Sequence, residues 1–358
     1  MATAETRERL RSRILDTGAA AVGFAAAAPL PADARERFSQ WIANGRHGNM
    51  DYMSRHEPLV ADPATVLEGV RTVISIAYPY YPPVRRDPQL PRIALYAYGR
   101  DYHKTIRSRL RALCREVEAE FGAATRICAD TAPVAERYWA MRSGIGRLGR
   151  NGCIIIDGHG SYVFLSEILT SLSLPPNEPS TRTCLDCGAC QRACPGNAIQ
   201  PDGTVDSRLC LSYLTIEHRG KMTAEQSRVM QSPDGRATLY GCDICQKVCP
   251  HNRDVPPTTI ADFSPRLGML TIDAADIAAM SEEQWDEFTR GSAMRRPPPP
   301  RQFGYETASC KTQEKYLTLQ GNIAPANPDH DNRIQHRQAQ LFAYALRHEQ
   351  RAAVVPVE

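Results

Sequence analysis

No apolar run in this chain of 358 residues approaches the roughly 20 residues that a membrane-spanning helix needs. The opening stretch MATAETRERLRSRILDTGAAAVGF reads as a charged amphipathic helix and lacks the apolar core of a signal peptide. Both absences lead to the expectation of a soluble, cytoplasmic protein, a compartment that keeps thiolates available as ligands. Charge of one sign is missing as well. With 43 Lys and Arg against 40 Asp and Glu, the net charge of +3 cannot argue for a nucleic-acid partner, so only its distribution can. A hydrophobic fraction of 42% excludes wholesale disorder, and the length allows two or three domains with real cores.

What is present in excess is cysteine, 12 in all, with eight between positions 184 and 249. Cys184, Cys187, Cys190 and Cys194, followed by Pro195, spell CxxCxxCxxxCP. The second set is Cys210 and, after an insertion, Cys242, Cys245 and Cys249, followed by Pro250. The first run matches the bacterial ferredoxin pattern, in which three close thiolates hold one 4Fe–4S cube and the fourth reaches across to the other. That logic gives one cube to Cys184, Cys187, Cys190 and Cys249, and the other to Cys194, Cys210, Cys242 and Cys245. Zinc is the competing reading of CxxC pairs. A zinc site is complete with two pairs, however, and has no use for a third link, the CxxxCP tail and its duplicate. Cys210 enters largely because the second cube lacks a ligand without it. Cys114, Cys128, Cys153 and Cys310 stand alone, and lone cysteines are commonly buried small hydrophobes.

Upstream, 4–17 reads as a helix, 20–26 as a buried strand and 34–44 as a second helix. The segment from Gly45 to His56, GRHGNMDYMSRH, is read as a polar connection. VRTVISIA at 70–77 is β-branched enough for an interior strand. From about Tyr102 to Phe121, Ile106, Leu110, Leu113 and Val117 give a helix an apolar face, while Lys104, Arg107, Arg111 and Arg115 form a stripe of cations on another. A solvated helix face is the common cause of such a stripe; a phosphate backbone is the sharper alternative. A short strand at 126–129 leads to Asp130 and Thr131, well placed before Pro133 to cap a helix carrying Val134, Tyr138 and Met141. Gly144, Gly146 and Gly149 spell GxGxxG, but a helix precedes and a strand follows, the reverse of a dinucleotide site. These glycines are expected to end a helix and to let the backbone pass close to something flat or bulky. The insertion 220–235 is expected to be polar and exposed, and 272–288 to be helical. A bare ferredoxin needs only the cysteine module, and the roughly 180 residues before it suggest an enzyme fed by its own clusters.

Five separated motifs agree with one family. HGNMDYMSRH, YGRDYHK, ADTAPVAERYWAMRSGIGRLGRNGCIII, the cysteine run and LYGCDICQKVCPHN, in order over about residues 1–255, resemble the epoxyqueuosine reductases, cobalamin-dependent enzymes of queuosine biosynthesis. The resemblance implies an α+β fold. A nitroreductase-like cobalamin-binding domain at 1–175 would be followed by a ferredoxin-like module with two 4Fe–4S clusters at 176–255, and then by a short, mostly helical region at 256–358. It implies reduction of the epoxide of epoxyqueuosine, at the wobble position of a tRNA anticodon, to queuosine. The implied partners are that tRNA and an external electron donor, with the protein a monomer. Asp130 takes the family's acid position, which reverses the capping reading. Arg55, Arg137, Gly149, Asn151, Ile154, Ser212, Thr215, Cys242 and Asp243 resemble positions lining the cobalamin. The DxHxxG signature that gives cobalt a histidine is absent, in agreement with a family that binds cobalamin without one.

For tRNA phosphates, the residues themselves suggest Lys104, Arg107 and Arg111, with Arg295 and Arg296 as a second group. Family chains continue after a GSAMRR-like string into helices with an RN pair and a later GN. Here four prolines follow at 297–300, and Gly321-Asn322 is the trace that remains. Two alternatives stand beside the reductase: a related cobalamin reductase of another small electrophile, such as an organohalide, and a ferredoxin-type electron carrier.

Overall fold

The computed structural model describes residues 3–295. The residue pattern also suggests a last amphipathic helix at 333–351; that segment, Cys310, Gly321-Asn322 and Arg296 lie outside the described residues, of which Arg295 is the last.

In chain order the strands are β1 (Ala21–Ala26), β2 (Thr72–Pro79), β3 (Arg92–Ile93), β4 (Thr125–Cys128), β5 (Arg147–Leu148), β6 (Ile154–Ile155), β7 (Val163–Thr170) and β8 (Thr238–Tyr240). The helices before the cysteine module are α1 (Ala4–Leu15), α2 (Ala32–Ala43), α3 (Asp51–Val60), α4 (Tyr102–Phe121) and α5 (Glu136–Arg142). One sheet organises the N-terminal part, with antiparallel strands in the order β1-β2-β7-β4. All eight residues of β2 are buried, as its continuous β-branched run requires for an interior strand. Helices α1 and α4 cover one face of this sheet. Leu10 and Ile14 meet Ile106, Leu110 and Val117 over Phe24, Ile74 and Ile76. Ile106 and Leu110 are fully buried, each contributing on the order of 2 kcal/mol. The other face receives Trp139 of α5 against Val73, Cys128 and Leu169.

Helix α4 carries the site, and its ends are well defined. The Asp101 side chain accepts the His103 backbone N–H at the start, and Gly122, at φ 60°, ends it. Helix α5 begins only at Glu136 and has no side-chain cap. Asp130 and Thr131 are therefore not caps; a turn of several residues separates Asp130 from the helix. At the far end, Gly144 (φ 78°) donates its N–H to Met141 and Ile145 donates to Ala140, a Schellman ending. The glycines do allow a close approach, but to the chain itself. A Cβ on Gly144 would lie 2.4 Å from the Glu178 carbonyl, and one on Gly146 2.6 Å from Ile154.

The cysteine region holds α6 (Ala189–Ala193), α7 (Leu211–Ile216), α8 (Ala224–Gln231), α9 (Pro233–Arg236) and α10 (Ile244–Lys247). The insertion is not simply exposed. A capping box of Thr223 and Gln226 starts α8, whose Val229 and Met230 pack on Leu211, Tyr213 and Leu214. Strand β8 pairs in parallel with β3, which ties this region to the upstream part. The segment at 45–56 is more than a connection. Its Asn49 N–H donates to the Tyr213 hydroxyl at 2.7 Å, that hydroxyl donates back to Asn49 Oδ1 at 2.9 Å, and Ser207 N–H donates to the Arg46 carbonyl. Past 256 come α11 (Leu267–Thr271), α12 (Ala274–Ala279) and α13 (Glu282–Thr289). The one helix expected at 272–288 is two, α12 and α13, because capping boxes at Asp273 and Ser281 start a helix twice. Ile272, Trp285 and Met294 pack on Tyr98 and Tyr240.

Candidate active site and cluster sites

Asp130 follows β4 by two residues and sits in the left-handed region at φ 60°, a conformation that costs a non-glycine residue and that Asp tolerates better than most. Two contacts from other elements meet it there. Its backbone N–H donates to Glu136 Oε1 at 2.6 Å, and its Oδ2 lies 2.7 Å from His103 Nε2. On the other side of the ring, His103 Nδ1 lies 2.7 Å from Asp101 Oδ1, the oxygen that also accepts the His103 backbone N–H at 3.1 Å. A carboxylate–imidazole–carboxylate relay thus runs from Asp101 and His103, whose side chains are 9% and 4% exposed, to Asp130, whose side chain is 53% exposed. Tyr102 stacks on the imidazole at 3.9 Å and on Phe164 at 4.2 Å, which fixes the ring plane. Arg107 donates to the Thr131 hydroxyl at 2.7 Å, which brings the basic face of α4 against the Asp130 turn.

The surroundings of Asp130 are rich in acids and phenols. Burial, and then the charge of Asp130, push Glu136 up to about 8. Glu167 on β7, opposite Ser75 and Cys128, is fully buried and is pushed well up by burial and then by Glu136. Neither of its carboxyl oxygens has a partner among the described residues, so it is held as the neutral acid. Tyr52 of α3 is pushed up to about 12 by burial, with Glu217 and Asp130 adding to it. Tyr96 and Glu217 are also raised by burial first, with Asp130 among their lesser causes. Three stretches therefore converge on Asp130: α3, the loop before α4, and the end of α7 in the cysteine region.

The eight cysteines fall into two neighbourhoods. Cys184, Cys187, Cys190 and Cys249 line one cavity, and the charges of Cys184 and Cys187 act on Cys249. Cys242 is pushed up to about 12 by burial first and then by Cys210, Asp243 and Cys194; Cys245 is pushed up by burial, with Cys153, Cys242 and Cys210 adding to it. Backbone N–H groups are aimed at the sulfurs: Gln191 at Cys190, Ala198 at Cys194, Ser212 and Tyr213 at Cys210, Ile244 at Cys242 and His251 at Cys249. Such donors stabilise thiolate, the form that binds iron. Among the described residues no three Cys, His, Asp or Glu side chains close on a point that could hold a single ion, as zinc requires. Two quartets of thiolates with backbone donors aimed at their sulfurs fit two 4Fe–4S clusters.

The chain belongs to the epoxyqueuosine reductase family. Residues 61–131 match the family model "Epoxyqueuosine reductase QueG, DUF1730", and residues 183–252 match a 4Fe-4S double cluster binding domain. The epoxyqueuosine reductase of Vibrio cholerae is 41% identical over 268 residues, 72% of this chain and 70% of that protein. That of Gloeobacter violaceus is 38% identical over 82% of this chain and 92% of its own length. Among solved structures, epoxyqueuosine reductase with an epoxyqueuosine-modified tRNA-Tyr stem loop has a TM-score of 0.74 at 24% identity, covering 90% of this chain and 86% of that one. The enzyme from Streptococcus thermophilus has a TM-score of 0.72 at 24% identity, covering 88% and 86%. The fold is therefore the family's, a mixed helix and sheet architecture with a 4Fe–4S module.

Of the residues expected to line cobalamin, several gather beside the second cysteine quartet. Arg137 donates to the Gly152 carbonyl at 2.9 Å, Gly149 donates to the Cys153 carbonyl, and the Asn151 side chain reaches Cys245. Thr215 accepts the Gly241 N–H at 3.0 Å. Asp243 accepts the Leu95 N–H at 2.7 Å and is pushed up to about 6 by burial. Ser212 lies in α7, Arg55 is exposed on α3, and Ile154 is buried against Ala77, Ala140 and Ile156. Among the lone cysteines, Cys114 and Cys128 are buried, while Cys153 stands beside the second quartet. The sequence reading missed His103, Asp101 and Glu136. Their signal was present: Asp101-Tyr102-His103 lies in a motif quoted for the resemblance, and Glu136 stands six residues after Asp130.

Proposed function

We propose that this chain reduces the epoxide of epoxyqueuosine in tRNA to the alkene of queuosine, with Asp130 as the acid. The observation that carries the reading is the hydrogen bond from Asp130 to a buried His103 that is backed by Asp101. The reaction takes up two electrons and two protons and releases the epoxide oxygen as water, so it needs an electron supply and a proton supply in one place. The two thiolate quartets account for the first and the relay for the second. A general acid typically contributes on the order of 10²- to 10⁴-fold.

The proton logic follows from the acceptors. Asp101 Oδ1 accepts from His103 Nδ1–H, which leaves Nε2 facing Asp130 Oδ2 with one proton between them. That proton passes through Asp130 to the oxygen released as the C–O bond opens, and solvent reaching the half-exposed Asp130 side chain supplies the second proton and restores the relay. Glu136 holds the Asp130 backbone so that the carboxyl stays at His103. The family's cobalamin fits beside the second quartet, where Arg137, Asn151, Thr215 and Asp243 gather hydrogen-bonding side chains suited to an amide-rimmed cofactor. Arg137, Gly149, Asn151, Ser212, Thr215, Cys242 and Asp243, with Arg55 and Ile154, would hold it. When bound, the cofactor supplies a strongly reducing cobalt centre able to act on the epoxide.

A nitroreductase-like cobalamin domain at 1–175, a cluster module at 176–255 and a helical region from 256 form the division we propose. Lys104, Arg107 and Arg111 are the proposed phosphate contacts, supported by Arg107 reaching the Asp130 turn, and Arg295 and Arg296 are a second pair. A tRNA substrate places the protein in the cytoplasm, acting as a monomer with an external electron donor. Among the described residues no helix is long and apolar enough to cross a membrane. The test is an anaerobic incubation with reductant, cobalamin and epoxyqueuosine-containing tRNA, followed by nucleoside mass analysis. Queuosine is the expected product. Unchanged epoxyqueuosine in the presence of cofactor-loaded protein would rule the reading out, and dehalogenation of an organohalide instead would favour the related reductase.

A further inference from the structure

The two cysteine quartets differ in how they meet the surface. Cys187 of the first is exposed, and its four cysteines line a cavity of about 360 Å³ including its open mouth. The second quartet has Leu211, Gln246 and Gly241, all buried, as sequence neighbours, and its Cys210 opens α7, at whose far end Glu217 feels the charge of Asp130. Leu185, 62% exposed, lines the open cavity, and Leu148 and Val248, each 40% exposed, stand next in sequence to its lining residues Gly149 and Cys249. They are three of only seven large apolar side chains exposed among the described residues, which marks this face as built for contact.

The charges on this face sort by pairing. Arg150 pairs with Asp186, and Arg182 pairs with Asp157. Arg192 and Lys247, both exposed and both within the cysteine runs, have no ion-pair partner among the described residues. Arg253 and Asp254 follow, exposed and of opposite sign. The surplus is positive. Small apolar contacts with a charged surround are the form of transient electron-transfer encounters, in which charge steers the approach and the buried area stays small.

We infer that Leu148, Leu185 and Val248, with Arg192 and Lys247, form the docking face for an acidic one-electron carrier protein, which reduces the cluster of Cys184, Cys187, Cys190 and Cys249 first. Each encounter oxidises one carrier by one electron and reduces the quartet's cluster by one, so two encounters supply one epoxide reduction. The inference rests on the two-cluster reading above.

The test uses the cluster-loaded protein and a chemically reduced acidic plant-type ferredoxin, with photoreduced 5-deazariboflavin as an uncharged reductant that needs no docking. In Arg192→Glu/Lys247→Glu, cluster bleaching by ferredoxin at low salt should slow about tenfold and lose its salt dependence. Ferredoxin binding by titration calorimetry should weaken in parallel, while bleaching by the deazaflavin and the iron content stay at wild-type values. Leu185→Asp should weaken binding without changing the salt dependence. If the double variant loses iron, raising salt on the wild type replaces it, and ferredoxin should slow while the deazaflavin does not. Equal ferredoxin rates in variant and wild type, or no reduction of wild type by ferredoxin, would overturn the docking face. Failure of the deazaflavin to bleach the wild type would instead count against the two-cluster reading.

Discussion

The electron side and the proton side of this molecule are built in opposite ways. Seven of the eight cluster cysteines come in two short runs, and local N–H groups a few residues away are aimed at their sulfurs. The proton relay is assembled from the start of α4, the turn after β4 and the start of α5. A run of thiolates can be recognised wherever it occurs, because spacing and ligation are the same fact. A relay exists only once a sheet and a helix have been packed, so no short window of sequence contains it. The comparison predicts that the two sides fail separately.

The largest expected effect is on the electron side. Cys245→Ser should lower anaerobically purified protein from about eight iron atoms to about four and abolish turnover; iron remaining near eight would remove Cys245 as a ligand. His103→Gln acts on the other side. It should lower kcat by about 10² with unchanged iron and a displaced pH–rate profile, whereas a wild-type profile would reduce His103 to packing. Weaker still is the basic face. Replacing Lys104, Arg107 and Arg111 with Ala should lower the slope of log affinity for tRNA against log salt by about 2 to 3. An unchanged slope would return the stripe to a solvated helix face.

The smallest effect is one of stability. Glu136 has its ordinary value of 4.5 raised to about 8 by burial and by Asp130. Between those values the unfolded chain has lost a proton that the folded chain keeps, so this group's contribution to stability falls as pH rises from about 4.5 to about 8 and is level above that. Asp130, His103, Arg137 and Glu167 are the charged or titratable groups that act on it. Glu136→Gln should therefore show a shallower decline of Tm over that window. An identical decline in both proteins would place the proton elsewhere.

The same contrast explains what could be read in advance. The cysteine runs, the interior strand at 72–79 and the long helix to Phe121 are local patterns, and each stands close to where periodicity or spacing put it. Asp130 had two readings in the sequence, cap or acid, because capping depends on where the next helix starts. Helix α5 starts six residues later, at Glu136, and so leaves Asp130 uncommitted to it. Asn49 looked like part of a polar connection, since its partner, the Tyr213 hydroxyl, lies 164 residues away. The insertion at 220–235 looked exposed because only four of its residues, Gln226, Val229, Met230 and Gly235, are buried, at a spacing too irregular to show a period.

The claim that electrons and proton have separate sources is tested most directly by a single turnover of Asp130→Asn. The variant is loaded with clusters and cobalamin, prereduced, and mixed with epoxyqueuosine-containing tRNA, with cluster absorbance and nucleoside mass followed together. The account predicts that the clusters reduce as in wild type while epoxyqueuosine persists. Queuosine formed at the wild-type rate would contradict it.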